Sequence, residues 1–144
     1  MVGIVIVAHT PVASAMLGFA QHAFGVLPEG VRAVDIPPHE DTKVSFNRVV
    51  KAAYGVNSGN GLLILTDVMG ATPANVASKL EALGPLSGLD TPIIVLAGLN
   101  LPMLMRCISH REEGLEELAH KALQGGQNGI LRLGSKTPQE TTEK

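Results

Sequence analysis

The chain alternates short apolar runs with longer stretches in which apolar and polar positions mix. Val2–Ala8 is continuously apolar and rich in β-branched residues, the pattern of a parallel strand buried on both faces. Gly61–Thr66 repeats it, apolar up to its last position, and Val31–Ile36 and Pro92–Ala97 complete four predicted strands. Thr10-Pro11 and Thr72-Pro73 both read as helix starts, with Thr as N-cap and Pro at the first helical position. The first predicted helix runs from Pro11 to about Phe24 and ends at Gly25. A second starts at Asp41 or Thr42, continues to about Tyr54 and carries an apolar stripe at Val44, Val49 and Ala52. A third covers Thr72 to about Leu83, with Gly84 beyond it. Helical segments follow Pro102 through about Gln124, and Gly125-Gly126 is expected to stop them. Ile130–Leu133 is a candidate short fifth strand.

Strands alternating with helices define an α/β class: a doubly wound, mostly parallel four-stranded sheet with helices on both faces. One domain is expected over residues 1–133. The polar residues 134–144 are expected to be a disordered tail. The 144-residue length fits a single domain. Hydrophobic residues make up 45% of the chain but aromatic ones only 3%, so the core must be built from Val, Ile, Leu, Ala and Met.

A net charge of −2 leaves no basic footprint for nucleic acid. The single cysteine, Cys107, cannot form an internal disulfide, which suits a reducing compartment. The apolar amino-terminal run is short, lacks a basic flank and is broken by His9 and Pro11, unlike a signal peptide. No apolar run of about 18 residues exists to span a bilayer. A soluble, cytoplasmic protein is expected, with any membrane role exercised through a partner.

In open α/β sheets, ligands bind outside the carboxyl ends of the strands. The residues delivered there are His9, Asp35, His39, Asp67 and Asn100. His9 reads either as a reactive imidazole or as a ring that caps or packs at the junction. Asp67 reads equally as a functional carboxylate or a loop cap. Together they make a plausible pair, because the first and third strands are neighbours in common doubly wound orders. A carboxylate on one ring N–H fixes the tautomer and leaves the other nitrogen nucleophilic. A phosphoryl group there needs donors, and the two Thr-Pro helix starts with the Gly70-Ala71-Thr72 turn supply them. Thr10, Gly70, Ala71 and Thr72 are therefore the candidate phosphoryl-binding residues. His39, Asn100 and Met103 are possible lining, with a loop, turn or packing role as the alternative for each. The five histidines and Cys107 show no metal-ligand spacing. Neither a Gly-x-x-x-x-Gly-Lys-Ser/Thr loop nor a dinucleotide or esterase glycine motif appears, so no metal or cofactor is expected.

Three segments carry a resemblance. They are Ile4-Val5-Ile6-Val7-Ala8-His9, Leu65-Thr66-Asp67-Val68-Met69-Gly70-Ala71-Thr72-Pro73-Ala74-Asn75, and Ala97-Gly98-Leu99-Asn100-Leu101-Pro102-Met103-Leu104. In order and spacing, over roughly residues 1–130, they resemble the mannose-type IIA component of the bacterial phosphoenolpyruvate:sugar phosphotransferase system. The resemblance implies that His9 accepts phosphate from the histidine-containing phosphocarrier protein and passes it to a IIB component. Asp67 would orient His9, and Thr72 would sit at the phosphoryl position. It implies a homodimer that exchanges one antiparallel strand, for which Ile130–Leu133 is the candidate. This chain has Thr10 where the family often has Gly, Met69 where an aromatic is common, and Thr72 where Ser is frequent. No IIB segment follows, so IIB is expected as a separate chain, and the role is sugar uptake or regulation. Three other readings stand beside this one. They are the phosphoryl-donor subunit of a dihydroxyacetone kinase system, a response-regulator receiver phosphorylated on Asp67, and a non-catalytic anion-binding module.

Overall fold

A computed structural model describes residues 1–134. Its elements are β1 (Gly3–His9), α1 (Val12–Phe24), β2 (Val31–Ile36), α2 (Thr42–Val56), β3 (Leu62–Thr66), α3 (Thr72–Leu83), β4 (Ile93–Ala97), α4 (Leu101–Ser109) and α5 (Leu115–Asn128). A 3-10 turn, Gly84–Ser87, follows α3. All strand pairs are parallel, and the order is β2-β1-β3-β4.

The apolar runs explain that order. Ile4, Ile6, Ala8, Leu63 and Leu65 pack with α1, α4 and α5 on one face of the sheet. Val5, Val7, Leu62 and Ile64 pack with α2 and α3 on the other. Each of the Val, Leu and Ile side chains gains roughly 1.5–3 kcal/mol on leaving water. Strands that are apolar on both faces are therefore stable only in the middle of the sheet, where β1 and β3 lie. The edges differ. Arg32 is exposed on β2, whereas Ile93, Ile94 and Val95 of β4 are only half-buried.

Both Thr-Pro starts are shifted from their expected places. Pro11, not Thr10, precedes the first turn of α1 and makes no side-chain cap. The capping carboxylate comes from β2. Asp35 Oδ1 accepts the Ser14 N–H at 3.1 Å, and Oδ2 accepts the Ser14 hydroxyl at 2.5 Å. In α3 the N-cap is Ala71, and Thr72 is already helical. Asp41 does cap α2, accepting the Lys43 N–H at 2.7 Å. Val44 is exposed, and the buried stripe of α2 runs through Ser45, Val49, Ala52, Ala53 and Val56.

Gly125-Gly126 does not stop the helix. Both residues are buried within α5, where α4 approaches closely. A Cβ on Gly125 would lie 2.8 Å from the Arg106 Cβ, and one on Gly129 would lie 2.3 Å from the Pro102 Cβ. Here space against a neighbouring helix outweighs the low helix propensity of glycine. The expected strand at Ile130–Leu133 is not formed. Ile130, Leu131 and Leu133 are exposed, and among the described residues their backbone joins no strand. Beyond Gly134 the expected polar tail lies outside the described residues.

Buried Arg111 ties the amino-terminal edge of the sheet together. Its guanidinium donates to the carbonyls of Val2 (3.0 Å), Gly30 (3.2 Å) and Glu29. Burial pushes the Cys107 thiol up to about 12, against a small opposing effect of Arg111, so this cysteine is a neutral packing residue.

Two glycine substitutions should move stability in opposite directions. Gly18 in α1 has open space around its Cα, so Gly18→Ala should stabilise by about 0.5–1 kcal/mol. Gly129→Ala should destabilise by about 1–3 kcal/mol through overpacking against Pro102. Urea unfolding of both variants tests the pair.

Candidate functional site

The chain leaves β1 to pair β2 on one side and returns to pair β3 on the other, so the strand order reverses between β1 and β3. In-register pairing sets Val7 against Thr66. His9, two residues past Val7, and Asp67, the first residue after β3, come together at that crevice, where doubly wound sheets place a binding site.

The Asp67 carboxylate is fully engaged. Oδ2 accepts the His9 backbone N–H at 3.0 Å and lies 2.7 Å from the ring Nδ1, while Oδ1 accepts the Val68 N–H at 2.9 Å. The Asp67 side chain is 14% exposed and that of His9 is 50% exposed, so the carboxylate is sheltered and the ring open. Burial pushes the Asp67 carboxyl up, but the His9 amide, the His9 ring and the Val68 amide outweigh it and hold the carboxyl below its usual value. An ionised carboxylate only accepts hydrogen bonds. Nδ1 must therefore donate, and in the neutral ring Nε2 carries the free lone pair.

His9 opens onto a cleft of about 470 Å³, lined also by Thr10, Pro37, Pro38, His39 and Thr72. The two helix starts are not equivalent there. The amino end of α1 already holds the Asp35 carboxylate, and the Thr10 N–H is committed to the Ile36 carbonyl at 3.2 Å. Thr10 thus has its hydroxyl to offer. By contrast, α3 has no side-chain cap, so its first N–H groups and dipole are free for an anion. Gly70, with φ of 86°, turns the chain into it, and exposed Thr72 places a hydroxyl on its first turn.

Asn100 and Met103 are not among the cleft-lining residues. Asn100 caps α4 by accepting the Met103 N–H at 2.9 Å and donates to the Gly126 carbonyl at 3.0 Å. Met103 is buried in the core beneath it. His22 and His120 are exposed and far along helices. Among the described residues no group of His, Cys, Asp and Glu can hold a metal ion. Residue-by-residue reading missed Pro37, Glu40 and Thr42, which also line the cleft; its only signal was their position just after β2.

The sequence and the fold match those of known proteins. The model for the PTS system fructose IIA component matches residues 3–123. The chain belongs to this mannose-type IIA family of the phosphotransferase system. It is 28% identical over 138 residues to the PTS system mannose-specific EIIAB component of Escherichia coli (strain K12), covering 94% of this chain and 40% of that protein. The chain therefore spans 40% of the length of the curated relatives it matches. Its fold superimposes on phosphotransferase system component EIIA from Streptococcus agalactiae with a TM-score of 0.80 at 29% identity, covering 92% of this chain and 97% of that one. The mannose/sorbose specific IIA subunit from Enterococcus faecalis gives 0.77 at 26% identity, covering 94% and 97%. Family membership supports a phosphoryl-carrier role. Among the described residues no helix is long and apolar enough to cross a membrane.

The Asp67 carboxyl titrates below its unfolded value. Its contribution to stability is therefore complete above the usual carboxylate range and is lost as pH falls through the depressed value. Asp67→Asn should be less stable than wild type at neutral pH, with the gap closing as pH falls below the usual carboxylate range. Urea unfolding of both proteins across that range is the check.

Proposed function

We propose that this chain carries a phosphoryl group on Nε2 of His9, taking it from the histidine-containing phosphocarrier protein and passing it to a IIB component for sugar uptake or its regulation. The observation that carries this reading is the 2.7 Å contact between Asp67 Oδ2 and His9 Nδ1. It leaves the other ring nitrogen free, on a ring that lines a cleft beside an uncapped helix start.

The chemistry follows from those atoms. The Nε2 lone pair forms a bond to phosphorus as the bond to the donor's nitrogen breaks, its electron pair leaving with the donor. Positive charge grows on the ring and is balanced by the Asp67 carboxylate through Nδ1–H. The phosphoryl oxygens are received by the first N–H groups of α3 and the Thr72 hydroxyl. Transfer to the acceptor is the same step reversed onto a new nucleophile. Val68 and Met69 are exposed beside this centre and give either partner apolar ground to seat on.

The family reading also supplies the assembly. We propose a cytoplasmic homodimer in which Ile130–Leu133, whose Ile130, Leu131 and Leu133 are exposed and which joins no strand among the described residues, adds to the sheet of the second copy. A receiver-type phosphorylation of Asp67 is disfavoured by the engagement of both its oxygens.

Incubation with phosphoenolpyruvate, enzyme I and the histidine-containing phosphocarrier should add one acid-labile phosphate, read by intact mass. His9→Ala should take none while remaining folded. Asp67→Ala should accept phosphate roughly 10–100-fold more slowly. Full-rate phosphorylation of His9→Ala would overturn the site.

A further inference from the structure

The loop between β2 and α2 holds a side chain whose presence the fold does not require. The Glu40 N–H donates to the Pro37 carbonyl at 3.4 Å, closing a β-turn with Pro38 and His39 at its two central positions. His39 has a φ of 68°. A turn with Pro at its first central position and positive φ at its second is the type II form, in which glycine is the favoured residue at that second place. His39 thus occupies a position where its Cβ is a source of strain.

The turn is held firmly on both sides of His39. Glu40 Oε1 accepts the Ser45 hydroxyl at 2.6 Å and Arg48 Nη1 at 2.9 Å. Arg48 Nη1 also donates to the Asp35 carbonyl at 2.8 Å, and Asp41 caps α2. None of these bonds involves the His39 ring, which is exposed and lines the same cleft as His9 and Thr72. Strained residues persist where the surroundings over-determine them, and they cluster at functional sites. Among the described residues the imidazole therefore has no hydrogen-bond partner, and it sits on a backbone turn fixed beside the cleft.

Resting on the carrier reading above, we propose that His39 is a second phosphoryl-contacting residue, donating a ring N–H to an oxygen of the phosphoryl group held on His9. A neutral or a protonated imidazole carries at least one N–H, so the contact does not depend on the ring's charge. Thr72 and the α3 amides receive the phosphoryl group from one wall of the cleft, and His39 from the opposite loop. The contact stabilises the group during transfer, when charge shifts onto its oxygens.

The test uses phosphoramidate, a small donor that needs no protein partner. Nε2 of His9 bonds to phosphorus, the P–N bond of the donor breaks, and its nitrogen leaves as ammonia. His39→Gly removes the ring and suits the turn, so its melting temperature should equal or exceed that of wild type. Its rate of phosphorylation by phosphoramidate should nevertheless fall roughly tenfold. His39→Gln, which keeps an N–H donor, should recover most of the rate. The phosphorus resonance of phospho-His9 should shift in the Gly variant. A wild-type rate for His39→Gly with phosphoramidate overturns the proposal, even if transfer from a protein donor is slowed, because the ring would then touch the partner rather than the phosphoryl group. Failure of wild type itself to be phosphorylated on His9 is a separate outcome, which removes the carrier reading and this one with it.

Discussion

The 2.7 Å contact between Asp67 and His9 depends on a parallel pairing with no slip. Side chains alternate along a strand, so a shift of one residue would turn His9 to the other face of the sheet. What prevents the slip is the run of fully buried side chains on both faces of β1 and β3. Moving either strand by one position would carry every one of them into the wrong helical layer. The core thus sets the position of the His9–Asp67 hydrogen bond.

From that junction outward the site is built by division of labour. Asp35 supplies the carboxylate that α1 needs, which leaves α3 as the open helix start. The His9 amide and ring share one carboxylate oxygen, so the backbone that delivers the ring also helps keep Asp67 ionised. Asn100 ties α4 to α5 through its cap and its bond to Gly126 and so steadies the loop after β4.

Much of this was legible in the sequence because it rests on local rules. Runs of apolar β-branched residues identified buried parallel strands, and their carboxyl ends identified His9 and Asp67 as a pair. The order of three motifs pointed to the family. What was not legible came from contacts between distant segments. Gly125 and Gly126 look like a helix stop, but they are spaces left for α4. Thr10 looks like a cap, but the capping oxygen belongs to Asp35, from the next strand. Val44 fits a helical stripe one position out of phase with the buried Ser45. Ile130–Leu133 has strand character, yet a strand needs an edge to pair with, and among the described residues it pairs with none.

The two rims of the sheet are treated differently. The β2 side ends in Pro37-Pro38 and displays Arg32, features that discourage another strand from docking there. The β4 side carries Ile93, Ile94 and Val95 with no comparable charge. Strand addition is therefore welcome at one rim and refused at the other. If copies of this chain pair as proposed, the open rim would let them close into pairs, whereas an endless rim-to-rim ribbon would place every second junction on the guarded side.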